Sequence, residues 1–316
     1  MAVKVSRADV IAFRLDAQHL TDRLGQQLLP EAAGACGVQD SPPGSALLAL
    51  HARVHDLTQA RLRRALAEDK VLLQSWCMRG APYCFPTTDA PVFTTGVLPP
   101  TEQAMRQLIL GVGPAVNELG LSLTDTVALI EAEIRAVLSG RRLAIDELGK
   151  ELAAAVADKL STRQRAIWKR EGPYAPGQPH GEAVVHFCLR ILTLQGVVCF
   201  APRIGNKAPF TLVDEWLGGP FPDIEPESAR AELLRRYLHC YGPSTKADFA
   251  AWLGVRAGDA GSWWDLVESE LTQVDVGRGA WVLANDLDAL RSSPEPIGVR
   301  LLPPRDPYTQ LRDRET

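Results

Sequence analysis

Three polar residues, Gln39, Asp40 and Ser41, stand together just before two prolines in a stretch rich in glycine and proline. An amide side chain can hold a water molecule in position, and a carboxylate can take its proton or offset a developing positive charge. These residues are therefore a candidate catalytic group. The alternative is an ordinary turn and helix start, in which Asp40 or Ser41 accepts backbone hydrogen bonds.

Other residue types with catalytic potential give no competing site in the sequence. His51 and His55 have the spacing i and i+4 but lack the glutamate of a His-Glu-x-x-His site, so no metal is predicted. The sequence has no Walker loop, Gly-x-Gly-x-x-Gly or Gly-x-Ser-x-Gly, which argues against nucleotide cofactors and serine hydrolysis. We therefore expect a protein that works without a metal or cofactor.

The cysteines and the apolar runs indicate a cytoplasmic protein. Six cysteines are scattered along the chain, and none belongs to a Cys-x-x-Cys pair. Buried reduced thiols are predicted, with a disulfide between Cys77 and Cys84 as the alternative. Charged residues interrupt the first apolar stretch, and no later run reaches the roughly 18 apolar residues of a membrane helix. We expect neither an export signal nor a membrane span.

Positive charge is concentrated in two segments, although the net charge of the chain is -4. Residues 53–80 contain six basic and three acidic side chains, and residues 135–170 contain nine basic and four acidic ones. Such segments are either solvated helix faces or surfaces that bind nucleic-acid phosphates. The candidate DNA contacts, which include two cations of a later loop, are Arg53, Arg79, Arg163, Arg165, Lys169, Arg203 and Lys207.

The elements that must position these residues recur in the order helices, then a β-hairpin. Ser6 and Asp9 resemble a capping box that starts the first helix, and residues 29–44 break the helical pattern. The first round has predicted helices at 6–20, 45–54 and 57–67 and strands at 71–77 and 81–85. The second has helices at 124–138, 145–156 and 181–194 and strands at 197–201 and 209–213. The third has helices at 228–240, 244–253 and 262–271 and strands at 272–276 and 280–283.

Three rounds of one architecture predict a mainly α protein with small β-hairpins, an α+β fold of three tandem winged-helix modules in an arc. The modules are expected at residues 1–100, 101–222 and 223–296, followed at 297–316 by the start of a C-terminal β region. Four tryptophans of the third module are expected to form its core, namely Trp252, Trp263, Trp264 and Trp281.

Winged-helix modules indicate double-stranded DNA as the partner. The third helix of such a module enters the major groove, and its hairpin contacts the backbone or the minor groove. Arg203 and Lys207 lie in the second hairpin loop, where cations suit phosphate. Arg79-Gly80, at the tip of the first hairpin, fits either a lesion probe or simple turn chemistry. Because winged helices also dock proteins, a protein partner is the alternative.

Four patches of sequence resemble the AlkZ-like DNA glycosylases, which excise alkylated purines. They are VQDSPPGSA with LLALHARV from residue 38, MRGAP from residue 78, YLHCYGPST with DFA and Trp252 from residue 237, and LLP, DPY and RDR between residues 301 and 314. The resemblance implies a monomer of three winged helices in a C-shaped arc around duplex DNA, with a small C-terminal β-barrel. Members usually continue well beyond the DPY patch, so most of that barrel is expected to be missing here.

The resemblance also assigns roles in the first patch, where the family carries Gln-x-Gln or Gln-x-Asp. Gln39 takes the first motif position and Ser41 the second, and a one-residue shift would bring Asp40 to that second place. For a purine made cationic by alkylation, Gln39 would orient the water and Asp40 would stabilise the sugar cation. The incomplete motif and the short C-terminus leave a non-catalytic DNA-binding regulator or lesion sensor as the alternative.

Overall fold

The structure, a computed structural model, describes residues 3–310, so the RDR patch at 312–314 lies outside the described residues. The helices are α1 (Arg7–Ala17), α2 (Leu29–Gly34), α3 (Ser45–Arg53), α4 (Gln59–Ala67), α5 (Ala90–Phe93), α6 (Glu102–Leu108), α7 (Val112–Leu119), α8 (Leu123–Leu138), α9 (Ile145–Ala157), α10 (Thr162–Lys169), α11 (His180–Leu194), α12 (Val213–Leu217), α13 (Pro226–Tyr241), α14 (Lys246–Leu253), α15 (Gly261–Trp264) and α16 (Leu287–Ser292). The strands are β1 (Val3–Lys4), β2 (Val38–Gln39), β3 (Leu72–Trp76), β4 (Pro82–Pro86), β5 (Val198–Phe200), β6 (Phe210–Leu212), β7 (Leu271–Asp275) and β8 (Gly279–Leu283). Helices thus surround two small sheets.

Most of the predicted helices and all of the predicted hairpins are present, with small shifts at their ends. Residues 29–44 were predicted to break the helical pattern, which is wrong, because they contain α2 and β2. Pro30 lies in the first turn of α2, where its fixed backbone angle suits a helix. The helix predicted at 262–271 is also too long. It stops at Trp264, since short turns then carry the chain into β7 at Leu271.

A single antiparallel sheet joins the first two hairpins, in the strand order β2-β4-β3-β5-β6. The joint is the pairing of β3 with β5, where Gln74 lies opposite Phe200. Every residue of β3 is buried, because strands flank it on both sides and helices cover the sheet. The sequence had placed these hairpins in separate modules. Their pairing brings the loop after β5 next to the strand that carries Gln74.

The main core lies between this sheet and the helices. α11 is buried over most of its surface and packs against α7, α8 and α9 as well as β3 and β5. A helix that is apolar nearly all round belongs inside a protein. The predicted tryptophan core is confirmed for Trp252, Trp263 and Trp264, and Trp281 is half-buried.

The cysteine thiols are free and buried, as the sequence predicts, and no disulfide joins Cys77 to Cys84. Burial in apolar surroundings raises the pKa of the Cys188 and Cys199 thiols, which keeps them protonated. They therefore serve as apolar packing groups. Within residues 3–310, no helix combines the length and the apolar character needed to cross a bilayer.

The first described residues pack on the third hairpin. β1 pairs in parallel with β7, and the predicted capping box is confirmed, since Ser6 and Asp9 bond each other's backbone at the start of α1. α1 then packs against α13 and α16. Phe13 shares a small core with Val274 and Leu290. Residues 3–17, assigned by sequence to the first module, thus share their core with the third hairpin.

Residues 293–310 form turns and extended segments, so the β region expected from residue 297 has no strand within the described residues. The segment is anchored by Asp306, whose two carboxylate oxygens each accept a 2.8 Å hydrogen bond from the guanidinium of Arg53. The Tyr241 hydroxyl also donates to the Pro307 carbonyl over 2.9 Å. The segment is therefore held by buried polar contacts rather than by strand pairing.

Arg53 was predicted to contact DNA, and this is wrong. Only 2% of the residue is exposed, and its guanidinium is taken up by Asp306 and by the Ala49 carbonyl. A buried cation needs a compensating anion, and here that anion comes from more than 250 positions further along the chain. Arg53 therefore has a structural function.

Removing only one partner of this ion pair should destabilise the fold strongly. Asp306→Ala leaves a buried guanidinium uncompensated and should lower the free energy of unfolding by about 3–5 kcal/mol, measured by urea denaturation. Asp69→Ala is the control, because its partner Arg61 is partly exposed, and should cost about 1 kcal/mol or less. Similar losses in both variants would contradict the anchoring function of Asp306.

Candidate active site

The extended backbone at β2 directs the side chains of Gln39 and Asp40, the first two residues of the candidate catalytic group, to opposite sides of the sheet. Gln39 lies opposite Tyr83 in the pairing of β2 with β4, and the Asp40 backbone N–H continues the ladder by donating to the Pro82 carbonyl over 2.8 Å. Successive side chains of an extended strand point to opposite faces. Gln39 and Asp40 therefore lie on different sides of the sheet and face different neighbours.

Asp40 is held at the start of α3 by three donors. Its Oδ1 accepts hydrogen bonds from the backbone N–H groups of Gly44 at 2.8 Å and Ala46 at 3.2 Å, and its Oδ2 accepts from Gln74 Nε2 at 2.7 Å. The residue is 8% exposed. The positive end of the α3 dipole adds to the stabilisation of a negative charge here. This is the helix-start geometry that the residue types also predicted, with a carboxylate fixed in one orientation.

A cleft of about 520 Å³ opens beside Asp40, between α3, α4 and the sheet. Its floor is polar, with Asp40 next to Gln74, and two of its lining residues are the basic Arg63 and Arg203. Most of the wall is apolar, and its larger members are Leu47, Leu62, Leu66, Phe200 and Trp216. An apolar pocket of this size with a few fixed polar groups is typical of small-ligand sites. The cleft can therefore take a flat ring with a cationic or hydrogen-bonding edge.

The loop between β5 and β6 brings its two predicted DNA contacts to this region. Arg203 is half-buried, donates to the Asn206 carbonyl over 2.8 Å, and lines both the Asp40 cleft and a neighbouring cavity of about 260 Å³. Lys207 is exposed and lines the second cavity only. The pairing of β3 with β5 thus places Arg203 in the Asp40 cleft and Lys207 at the neighbouring cavity.

Gln39 lies on the other side of the sheet, beneath the C-terminal segment. Only 2% of it is exposed, and its Oε1 accepts hydrogen bonds from Gln310 Nε2 at 2.7 Å and from the Tyr83 hydroxyl at 3.3 Å. Burial raises the pKa of the Tyr83 phenol, so it remains a donor. Arg79 donates to the same hydroxyl and to the Trp252 carbonyl. Gln39 and Arg79 thus belong to one polar network that joins the hairpin tip to α14 and to the C-terminal segment.

Four of the nine basic residues at 135–170 are neutralised by acidic partners. Arg135, Arg141, Lys159 and Arg170 form ion pairs with Asp214, Glu151, Glu133 and Glu118. Arg165, a predicted DNA contact, instead donates to the carbonyls of Ala157, Asp158 and Leu160, which end α9. These bonds satisfy the open carbonyls of a helix end without neutralising the guanidinium, so a phosphate contact by Arg165 stays a prediction. Arg163 and Lys169 are exposed on α10.

Sequence reasoning missed Gln74 and Arg63. Gln74 interrupts an apolar strand-like run, and such an interruption is the signal that could have identified it. Arg63 stands among several basic residues of α4, so nothing in the sequence distinguished it. Ser41, the third candidate, is half-buried at the turn before α3 and is absent from the residues that line the Asp40 cleft.

Comparisons with known proteins agree with the resemblance drawn from the sequence. The sequence profile of the family described as DNA glycosylase AlkZ-like matches residues 32–316. An interstrand DNA cross-link repair glycosylase of Streptomyces sahachiroi is 28% identical over 315 residues, which cover 97% of this chain and 77% of that protein. The solved structure of the Streptomyces sahachiroi DNA glycosylase AlkZ has a TM-score of 0.72 at 25% identity, covering 93% of this chain and 74% of the other.

Loss of the hydrogen bond between Gln74 and Asp40 should lower the stability of the protein by a measurable amount. Gln74→Leu leaves a buried carboxylate oxygen without its donor and should lower the free energy of unfolding by about 1–3 kcal/mol in urea denaturation. Gln59→Leu is the matched control, because Gln59 lines the same cleft but is exposed, and should change stability by about 0.5 kcal/mol or less. If Gln74→Leu cost no more stability than Gln59→Leu, the backbone donors at the start of α3 would be sufficient to hold Asp40.

Proposed function

The chain belongs to the AlkZ-like DNA glycosylase family, and on that premise we propose that it hydrolyses the N-glycosidic bond of cationic alkylated purines in duplex DNA. The observation that carries the choice of substrate is the fixed carboxylate of Asp40, the acid among the described lining residues of a mostly apolar cleft. A negative charge in that setting favours a flat cationic ring over a neutral one. The name of the Streptomyces relative extends the proposal to purines within interstrand cross-links.

The reaction needs little acid catalysis. Alkylation at a ring nitrogen makes the purine positively charged, and cleavage of the bond between C1′ and N9 returns its electron pair to the base, which leaves neutral. The sugar becomes an oxocarbenium ion, a water oxygen bonds to C1′, and the water releases one proton. The protein therefore has to position the water and to offset the positive charge that forms on the sugar.

Asp40 suits the second of these tasks. Three donors already fix its carboxylate, so no reorganisation is needed when positive charge develops beside it. A carboxylate has about four acceptor sites, so one remains for a water molecule in the cleft. In this proposal Asp40 both stabilises the cation and orients the attacking water.

The surroundings of the cleft suit an extruded nucleotide. Enzymes that act on a base in a duplex rotate it out of the stack into a pocket, and aromatic or apolar walls pack on its faces. Phe200 and Trp216 supply such walls. Arg63, Arg203 and Lys207 are placed to bind the phosphates on either side of the nucleotide. Gln39, on the opposite side of the sheet, supports the hairpin and the C-terminal segment.

The winged-helix description of the fold is part of this proposal. Helices α8, α9 and α11 followed by β5 and β6 have the order of such a module, and α13 to α15 followed by β7 and β8 repeat it. We retain the divisions 1–100, 101–222 and 223–296 as working boundaries. The shared sheet makes the first two modules one packed unit.

The decisive test is the single-turnover release of free base from a duplex that carries one N7-methylguanine. The protein should release it above the spontaneous rate, and Asp40→Asn should slow release by roughly 100-fold or more, because the fixed negative charge is lost. Gln39→Ala is measured in parallel. A loss confined to Gln39→Ala would place the active site on the other side of β2.

Asp9→Asn is the matched control for the Asp40 variant. Asp9 also accepts hydrogen bonds at a helix start but lies outside the cleft, so this variant should lose stability without losing base release. Duplex affinity is measured for all variants. Absence of release from the unsubstituted protein, with duplex binding intact, would contradict the proposed substrate and favour the non-catalytic alternative.

A further inference from the structure

Arg190 is a half-buried cation without an acidic partner. It projects from α11, its guanidinium lies 4.7 Å from the centre of the Trp76 ring, and its Nη1 donates to the His186 carbonyl over 2.9 Å. Within residues 3–310, no carboxylate oxygen lies within 4.0 Å of it. Burial lowers the pKa of this guanidinium, and no neighbouring anion opposes the shift. Its charge is thus compensated by the ring and one carbonyl alone.

Comparable arginines of this protein are paired. Arg53 is bonded to Asp306, and Arg236, which is also half-buried and lies 5.5 Å from the Phe93 ring centre, is bonded to Asp89 and Glu232. Charged side chains taken out of water normally have such partners. Arg190 shares the burial and the aromatic contact of Arg236 but lacks such a partner among residues 3–310, so its charge is available to an anion of another molecule.

Arg190 shares a cleft of about 440 Å³ with Arg79 at the hairpin tip. Arg79 donates to a carbonyl and to the Tyr83 phenol, so its charge is not neutralised by these contacts either. The other lining residues carry no charge, and they are Gly80, Gln107, Leu108, Ile109, Leu110, Phe187 and Gly254. Two arginines thus line one cleft, and none of its described lining residues is acidic.

Two glycines keep this cleft open. A Cβ at Gly80 would lie 3.2 Å from Arg190 Nε, and a Cβ at Gly254 would lie 2.8 Å from Arg79 Cγ. Gly80 and Gly254 both adopt positive φ angles, which favour glycine over other residues. The absence of side chains at these two positions therefore lets Arg190 approach the hairpin tip and lets Arg79 approach the end of α14.

We propose that Arg79 and Arg190 together bind a phosphodiester group of a DNA strand. The proposal rests on the proposed function only in taking DNA as the partner. Guanidinium groups match phosphate oxygens in pairs of hydrogen bonds, and a phosphodiester supplies the missing single negative charge. Leu110, 82% exposed at the rim, and Phe187 provide an apolar wall for the adjoining deoxyribose. The site lies apart from the Asp40 cleft, with which it shares no lining residue.

The test is the salt dependence of binding to an undamaged duplex of mixed sequence, followed by fluorescence anisotropy. Arg190→Gln should weaken binding to the same degree for different sequences. It should also reduce the slope of log K against log salt by about 0.9, the change expected for one lost phosphate contact. Arg190→Lys keeps the charge and should keep the slope. An unchanged slope in Arg190→Gln would overturn the proposal.

Arg236→Gln is the matched control, since Arg236 has similar burial and a similar aromatic contact but is ion-paired. It should lower stability and leave the salt slope unchanged. If the salt slope fell equally in both variants, the effect of Arg190→Gln would come from a loss of stability and not from a lost phosphate contact. Because the duplex is undamaged, the salt slope of binding can be measured even if the protein releases no base. The proposed phosphate site and the proposed glycosylase activity can therefore fail independently.

Inorganic phosphate distinguishes a free anion from a DNA phosphodiester. The shared chemistry predicts that phosphate competes weakly with the duplex for the original protein and not for Arg190→Gln. If phosphate raises the thermal midpoint of the original protein alone, while both proteins keep the same duplex slope, the site binds a free anion and the assignment to DNA is wrong.

Discussion

The backbone pairing of β3 with β5 is the contact that completes the Asp40 cleft. It joins hairpins that come from parts of the chain more than a hundred residues apart, at the single position where Gln74 faces Phe200. Gln74 on β3 already donates to Asp40 within the first part of the sheet, and the pairing with β5 adds the loop that brings Arg203 to the same cleft. Without this pairing the carboxylate would lose the cation beside it as well as part of the wall that keeps water away.

The two sides of the sheet have opposite electrostatic character, and both follow from the alternation of side chains along short strands. On one side a single fixed carboxylate lies beneath cations, which suits a positively charged ring held between phosphates. On the other side Gln39 and Tyr83 form a network with Arg79, which with Arg190 supplies the charge of the nearby cleft. A strand only two residues long thus separates a fixed carboxylate from a network whose charged member is a cation.

The sequence predicted what depends on local patterns. Ser6 and Asp9 identified a helix start because both partners of a capping box lie within one turn, and the tryptophans of the third module identified a core. It could not predict that Arg53 is neutralised by Asp306, because composition gives charge and not distance. For the same reason the sequence could not show that Arg165 donates to the carbonyls at the end of α9. It also gave no reason to single out Arg190, which lies in an apolar helix. The family resemblance pointed to Asp40 as a candidate, but strand pairing decides which side of the sheet its side chain faces.

The segments 3–17 and 306–310 each cross to elements that are remote in sequence, the first to β7 and the second to α3 and β2. Each crossing closes a loop of well over two hundred residues, and the entropy lost in closing it must be recovered by contacts that form together. If either segment unfolded, these contacts would break, and the rest of the chain would not be stable by itself. The molecule should therefore behave as one cooperative unit in hydrogen exchange, with slowly exchanging amides spread across all three hairpins rather than confined to one of them.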